Sequence, residues 1–310
     1  MGSKGLKAVV VDDENAGLPK AVKKAAFKEH NGNFIKIIRE NPQTSKIYTH
    51  YSTAAALSVV NALGALPTRN FTKGSFEMAD KINGDSLHDL ILERGGEGEI
   101  SHACMPGCIV KCSNVFPGED GKELVAPLEF ETLGMIGSNL CIGSLDEIAL
   151  INARLNELGL DTIETGAALG LLMEAGVVEF GDTRGILNLL DEVEPGTPLG
   201  RLAGSGALIV GRVMGLSRIP VVKGQAMAAY DPRGIKGTGV TFATSPMGAD
   251  HTAGHTMRAK VDHLSPQGQA RIAEANQINM AAVDNLGLCM MVVPALVFDV
   301  PDEELQGMLK

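Results

Sequence analysis

The sequence contains no tryptophan, and aromatic residues fill only 4% of its 310 positions. A core so poor in large rings must be built from Leu, Ile, Val, Ala and Met, which suits closely packed helices better than a β-sandwich. No run of about 18 or more apolar residues is present. The longest candidate lies around Met290 to Phe298, and the N-terminus has no signal-peptide core. No long basic run occurs either. The 27 Lys and Arg are outnumbered by 37 Asp and Glu, for a net charge of −10, which argues against a protein that tracks nucleic-acid phosphates. Cysteines number only five. Without an export signal they imply a reducing, cytoplasmic setting, where clustered thiols hold metal more often than they pair as disulfides.

What is present is typical of a globular chain: 45% hydrophobic and 21% charged residues, with a mean hydropathy of +0.09. The length suits one large domain or two ordinary ones. Leu6 to Val11 reads as a buried strand. Apolar residues at a spacing of 3–4 predict helices over 20–30, 35–40, 54–63 and 85–94. Ser144-Leu145-Asp146-Glu147 is a capping box ahead of Ile148, Ile151, Leu155 and Leu158, and Gly159 is the stop. Further helices are predicted over 161–175, 184–190, 199–214 and 266–286, the last with Ser265 as N-cap and Pro266 at the first helical position. The Gly-rich stretch 228–252 breaks this pattern, and a domain boundary falls just before it. Another helix begins within 301–310.

Cys104, Cys108 and Cys112 lie together in HACMPGCIVKC, while Cys141 and Cys289 stand apart. Three thiolates on a short segment with a distant fourth match a four-cysteine iron–sulfur cluster. Tetrahedral zinc is the alternative. Cysteines four apart on a continuous helix would instead form a buried stripe, but Pro106 and Gly107 argue against a regular helix there. Two other segments resemble each other: NELGLD (156–161) and DNLGLC (284–289). Each ends a helix with a glycine suited to a left-handed cap and then presents a polar side chain. A plain helix stop explains either one taken alone.

With GSKGLKAVVV, LEFETLGMIGSN, AYDPRGIKGTG and GADH in the same order along the chain, these segments make the sequence resemble the aldehyde:ferredoxin oxidoreductases. Those are tungsten enzymes with a bis-pterin cofactor and one [4Fe–4S] cluster. The resemblance implies a mainly α fold of two multihelical all-α domains, with a short N-terminal strand left from a missing β-domain. Residues 1–11 would be the remnant strand, 12–222 a helical domain with the cluster cysteines and first pterin turn, and 223–310 a truncated helical domain with the second turn. The implied reaction converts an aldehyde to a carboxylic acid at tungsten or molybdenum, and electrons leave through the cluster to ferredoxin or a similar carrier. Asn156, Asp161, Thr162, Asp284, Leu288 and Cys289 would lie at the pterins. Cys104, Cys108, Cys112 and Cys289 would hold the cluster. Glu131 matches the acid of the substrate cavity, with Glu129 as its alternative, and His251 matches the histidine near the metal. Burial would raise such a carboxyl's pKa and suit it to proton transfer. The bland readings are a helix-start glutamate favoured by the dipole and structural histidines, with a His251 and His255 metal pair as a minor alternative.

The sequence also departs from the family pattern. Its cysteines follow C-x3-C-x3-C where the family has C-x2-C-x3-C. Either Cys104 is displaced by one residue in a turn at Pro106-Gly107, or Ser101 replaces the first thiolate; the former keeps three thiolates. Asn156 stands where Asp is usual and lacks the charge that strengthens a bond to an N–H donor. Leu150 and Ile151 occupy the region where some members place the acid of an iron-bridging acid–histidine pair. The family's β-rich base domain would precede this sequence, and a helical tail would follow it. Two expectations stand side by side: an enzyme acting on a small aldehyde, or an inactive or partner-dependent cluster-binding module that completes itself with a separately encoded β-domain. A third keeps the fold but reduces the rings of aromatic thioesters. A homo-oligomer is compatible with each.

Overall fold

Helices form where amphipathic spacing coincides with a cap. The computed structural model describes residues 8–12, 14, 17 and 20–299. Its order is α1 (Lys24–Glu40), a π-helical turn (Gln43–Ile47), α2 (Tyr48–Tyr51), α3 (Ala56–Ala62), α4 (Gly84–Arg94), β1 (Glu99–His102), β2 (Ser113–Pro117) and β3 (Glu123–Val125). Then come α5 (Phe130–Thr132), a second π-helical turn (Leu133–Gly137), α6 (Leu145–Leu158), α7 (Thr162–Glu174), α8 (Thr183–Asp191), α9 (Pro198–Ala203) and α10 (Ala207–Val213). The chain continues through β4 (Val221–Val222), β5 (Gln225–Ala226), α11 (Lys236–Thr244), α12 (Gln269–Asn285) and α13 (Val293–Asp299). The fold is therefore mainly α among the described residues. Asn83, Ser144, Asp161, Asp182 and Thr197 each accept a backbone N–H at the start of the helix that follows, satisfying donors the helix leaves open. No single helix among the described residues is long and apolar enough to cross a membrane.

Two apolar cores organise these elements. The larger runs from Ala54 to Ala249 and is filled by Leu, Ile, Ala and Met, with a few Phe. The smaller joins Phe34 and Ile38 of α1, Tyr48, Val110, Val283 and the start of α13, with Cys108, Ile109, Cys112 and Leu288 packed against it. Part-buried polar staples brace the larger core. Arg94 holds Asp146 through paired bonds of 2.6 and 2.8 Å and also donates to Pro117 O at 3.0 Å, tying α4, β2 and α6 together. Glu164 accepts from Ala207 N at 2.8 Å and Ala226 N at 2.9 Å, tying α7 to α10 and β5. Strands β1, β2 and β3 form an antiparallel sheet in that order. The cysteine segment is the loop between β1 and β2.

Several sequence expectations are corrected. Ala8 to Val11 is not a strand: Val9, Val10 and Val11 are exposed and have no pairing edge among the described residues. Leu6, Lys7 and the helix start in 301–310 lie outside the described residues. The predicted helices 20–30 and 35–40 are one helix from Lys24, pinned by the burial of Phe34 and Ile38. The stretch 199–214 breaks between α9 and α10, where Gly206 has φ +86° and Glu164 captures Ala207 N. Helix α12 starts at Gln269, because Ser265 Oγ accepts from Gln267 N within a turn and Gly268 is left-handed. The Gly-rich stretch contains α11, whose glycines are packing requirements. A Cβ on Gly237 would come within 2.6 Å of Thr256 Oγ1 and 2.7 Å of Gln269 Oε1.

Candidate functional site

A cleft of about 1550 Å³ opens between the two cores. Its walls collect Glu129, Glu131, Asn156, Asp161, Thr162, Tyr230, His251 and Cys112, with Arg258 and Lys260 at one side. All three tyrosines of the chain, Tyr48, Tyr51 and Tyr230, line it.

The segment carrying the two glutamates is positioned by buried Asn114 of β2. Its side chain donates to Leu128 O at 2.8 Å and accepts from Leu128 N at 3.0 Å, fixing the approach to α5. Glu129 then takes bonds from Thr53 Oγ1 and from Ser113 Oγ at 3.1 Å, and burial still raises its pKa. Two residues on, Glu131 faces the acid–base part of the cleft. Its Oε2 accepts from Ala229 N at 2.7 Å. Its Oε1 has no hydrogen bond and lies 3.3 Å from His251 Nε2. Burial pushes the Glu131 carboxyl upward, opposed by His251 and the Ala229 bond and reinforced by the charge of Asp161.

Around that pair the aromatic rings are in contact. Tyr230 lies 5.5 Å from His251 and 4.1 Å from His255 between ring centroids. Burial places its hydroxyl well above the usual phenol range, with Glu131 adding to the shift. His255 contacts Thr238 Oγ1 through Nδ1 at 3.2 Å. Burial, then the charges of His251 and Arg258, hold its pKa well below the ordinary histidine value. Tyr230 carries no sequence signal of its own beyond lying in the AYDPRG segment, and His255 signals only the alternative metal pair with His251. Only the fold brings Tyr230 beside Glu131 and His255 against Tyr230.

The two helix–glycine turns have matching backbones. Gly159 (φ +68°) donates to Asn156 O at 3.1 Å and Leu160 N to Leu155 O at 2.9 Å. Gly287 (φ +65°) donates to Asp284 O at 3.0 Å and Leu288 N to Val283 O at 3.2 Å. These are the paired bonds of a left-handed helix stop. The residue after each Leu then caps the next helical segment. Asp161 accepts from Ile163 N and Glu164 N at 3.2 and 2.6 Å, and Cys289 Sγ accepts from Met291 N at 3.4 Å. Asn156, Asp161 and Thr162 line the cleft. Asp284, Leu288 and Cys289 do not line it, although Met290 and Met291, which follow Cys289, do. Thr162 Oγ1 and Thr132 Oγ1 are 3.0 Å apart, joining the first turn to the helix of Glu131.

Cys104, Cys108, Cys112 and Cys289 lie near enough for charge on one to affect another, while Cys141 is influenced instead by Arg69, Lys73 and Glu77. Burial and then the charges of Glu129, Cys289, Cys108 and Cys104 push the Cys112 thiol up to about 12. Burial and then Cys108 and Cys289 raise Cys104. Lys111 N donates to Cys108 Sγ at 3.4 Å. The thiols thus oppose one another's ionisation, and backbone N–H groups are aimed at two of the sulfurs, those of Cys108 and Cys289. Among the described residues no three His, Cys, Asp or Glu side chains converge on a single-ion position. His251 and His255 therefore do not form a ligand group with a third such side chain.

Residues 29–309 match the family model described as aldehyde ferredoxin oxidoreductase, domains 2 and 3. The chain belongs to the aldehyde ferredoxin oxidoreductase family. Among its relatives is a tungsten-containing aldehyde ferredoxin oxidoreductase of Pyrococcus horikoshii, 28% identical over 324 residues that cover 96% of this chain and 52% of the relative. The corresponding protein of Thermococcus kodakarensis is 28% identical over 322 residues with the same two shares. A more partial match is the WOR-like subunit of an aliphatic sulfonate oxidoreductase from Pyrococcus furiosus, 28% identical over 182 residues, covering 50% of this chain and 28% of that one. The chain thus spans about half the length of the curated relatives it matches most fully, in the region the family model assigns to domains 2 and 3.

Proposed function

We propose that the chain carries the proton-handling and electron-relay residues of an oxidoreductase that converts an aldehyde to a carboxylic acid. The observation that carries this reading is the part-buried Glu131 and His251 pair in a cleft whose wall also includes Cys112, one of the four grouped thiols. In the overall reaction an aldehyde and water become a carboxylic acid, two protons and two electrons. When bound, a tungsten or molybdenum bis-pterin supplies the two-electron chemistry and a [4Fe–4S] cluster passes electrons singly to ferredoxin or a similar carrier.

The residues present fit both groups. Cys104, Cys108, Cys112 and Cys289 would hold the cluster, and the N–H groups of Lys111 and Met291, which donate to the sulfurs of Cys108 and Cys289, would stabilise those thiolates. Asn156, Asp161, Thr162, Asp284 and Leu288 would meet the pterins, whose N–H edges match the side-chain oxygens of Asn156, Asp161 and Asp284. Glu131 accepts a proton at Oε1, the carboxyl atom left without a hydrogen bond. Its raised pKa places it nearer the neutral range, where one group can take and release a proton. His251 Nε2, beside it, steadies the carboxylate and passes the proton on. Tyr230, Phe130 and His255 hold the pair and limit water around it.

A second reading, a partner-dependent module, rests on the exposure of Asn156, Asp161, Asp284 and Cys289, since residues assigned to a cofactor face solvent here. Metal and pterin analysis of anaerobically purified protein separates the two. The enzyme reading expects iron near four atoms per chain together with tungsten or molybdenum and pterin. Iron without the other components would sink it for this chain acting alone.

A further inference from the structure

Charge is distributed unevenly over this acidic chain. Residues 20–50 hold seven Lys or Arg against two acids, Glu29 and Glu40, in a chain whose overall charge is −10. All nine of these side chains are exposed. They lie along α1 and its approach and on the π-helical turn that follows. The inner face of α1, through Phe34 and Ile38, packs into the small core that also seats Cys108, Ile109 and Cys112. Thr49, next in the chain to α2's first residue, donates to Val110 O at 3.3 Å and ties this region to the cysteine loop. The basic face is thus the outer surface of the element supporting the four-thiol group. At the loop tip Cys104 is exposed, and beside it Met105 is 60% exposed. Lys111 adds another exposed cation directly before Cys112.

An electron leaving the thiol group reaches solvent at a spot with one large apolar side chain and a cationic flank. A carrier that shuttles must bind quickly and leave quickly. Small contacts steered by opposite charge do this, whereas large apolar interfaces do not. We propose that the basic face of α1 and the π-helical turn is the docking surface for a small acidic electron-carrier protein. The inference rests on the relay role proposed for the four thiols and locates the partner on this chain. Anionic membranes and nucleic acid also attract cations, but neither needs the patch to border the thiol loop.

The test mixes the anaerobically purified chain with a small acidic [4Fe–4S] ferredoxin and measures the binding isotherm calorimetrically at rising salt. Binding should weaken as salt screens the charges. Arg39→Glu combined with Lys46→Glu should weaken it at least roughly tenfold, while Arg212→Glu, an exposed cation elsewhere, should not. Unchanged affinity in the double variant, affinity indifferent to salt, or binding to phosphatidylserine vesicles with none to the ferredoxin would each overturn the proposal. In the same samples a viologen dye, which needs no docking surface, reports cluster redox through the visible band. If the double variant blocks exchange with ferredoxin but leaves exchange with viologen intact, the surface is supported. If no visible band forms, the relay reading falls, and the isotherm alone still decides the surface.

Discussion

The turns at Gly159 and Gly287 have the same backbone stop, down to individual hydrogen bonds, and the same Leu after the glycine. Their surroundings differ. The first is connected to Glu131, through the Thr162–Thr132 contact and through the charge of Asp161. The second ends in Cys289, whose charge is felt by Cys104 and Cys112. One backbone device thus leads to a carboxyl group at one site and to a thiol group at the other. In the proposed function, protons are handled beside the first turn and electrons beside the second, and the side chain after the Leu makes the difference.

If that division holds, substitutions at equivalent positions should have unlike effects. Cys289→Ser, or Cys112→Ser, should abolish the iron–sulfur spectrum after anaerobic reconstitution, whereas Asp161→Ser should leave it intact because serine still caps the helix. A normal optical and EPR spectrum in Cys112→Ser would remove that residue from the ligand set. On the proton side, Glu131→Gln should lower aldehyde turnover with a dye acceptor by roughly 10²–10⁴-fold without changing the iron content. Loss of iron in that variant would show that the two functions are not separate.

Smaller effects test the shared backbone. Gly159→Ala and Gly287→Ala have open space around the new Cβ, so each should cost only the left-handed penalty of about 1–2 kcal/mol. Urea unfolding measures both, and a much larger cost at one turn would end the equivalence. The smallest effects are those of pH on stability. Burial raises the folded pKa of Glu131, so the folded chain keeps that proton above the ordinary 4.5, and stability falls as pH rises from there toward the raised value. His255 acts in the opposite sense. Its folded pKa is held well below 6.5, so its contribution is lost as pH falls below 6.5. Urea midpoints measured across pH should lose the first slope in Glu131→Gln and the second in His255→Asn.

Much of this architecture is written in local chemistry. Helix α4 could be read from its apolar spacing, and α6 from Ser144 and Gly159, where a cap and a periodic face agree; α7 is placed from Asp161 onward. The grouping of Cys104, Cys108 and Cys112 needed only their closeness in sequence. Other features depend on contacts that have no local signature. Strands β1 to β3 are three to five residues long, and β2 is buried throughout, so no alternation marks it. Helix α11 is a poor helix former by composition, with two glycines and four β-branched residues, and its Gly237 lets Thr256 and Gln269 approach closely. Tyr230 reaches Glu131 from about a hundred positions downstream, and His255 packs against Tyr230.

The want of tryptophan has an optical consequence. With no indole in the sequence and all three tyrosines on the wall of one cleft, the ultraviolet emission of the folded chain comes almost wholly from that cleft. A coloured group seated there would accept that excitation and darken all three rings together. The protein therefore carries an intrinsic gauge of its own occupancy, readable without label or activity, in which filling dims the signal and emptying restores it.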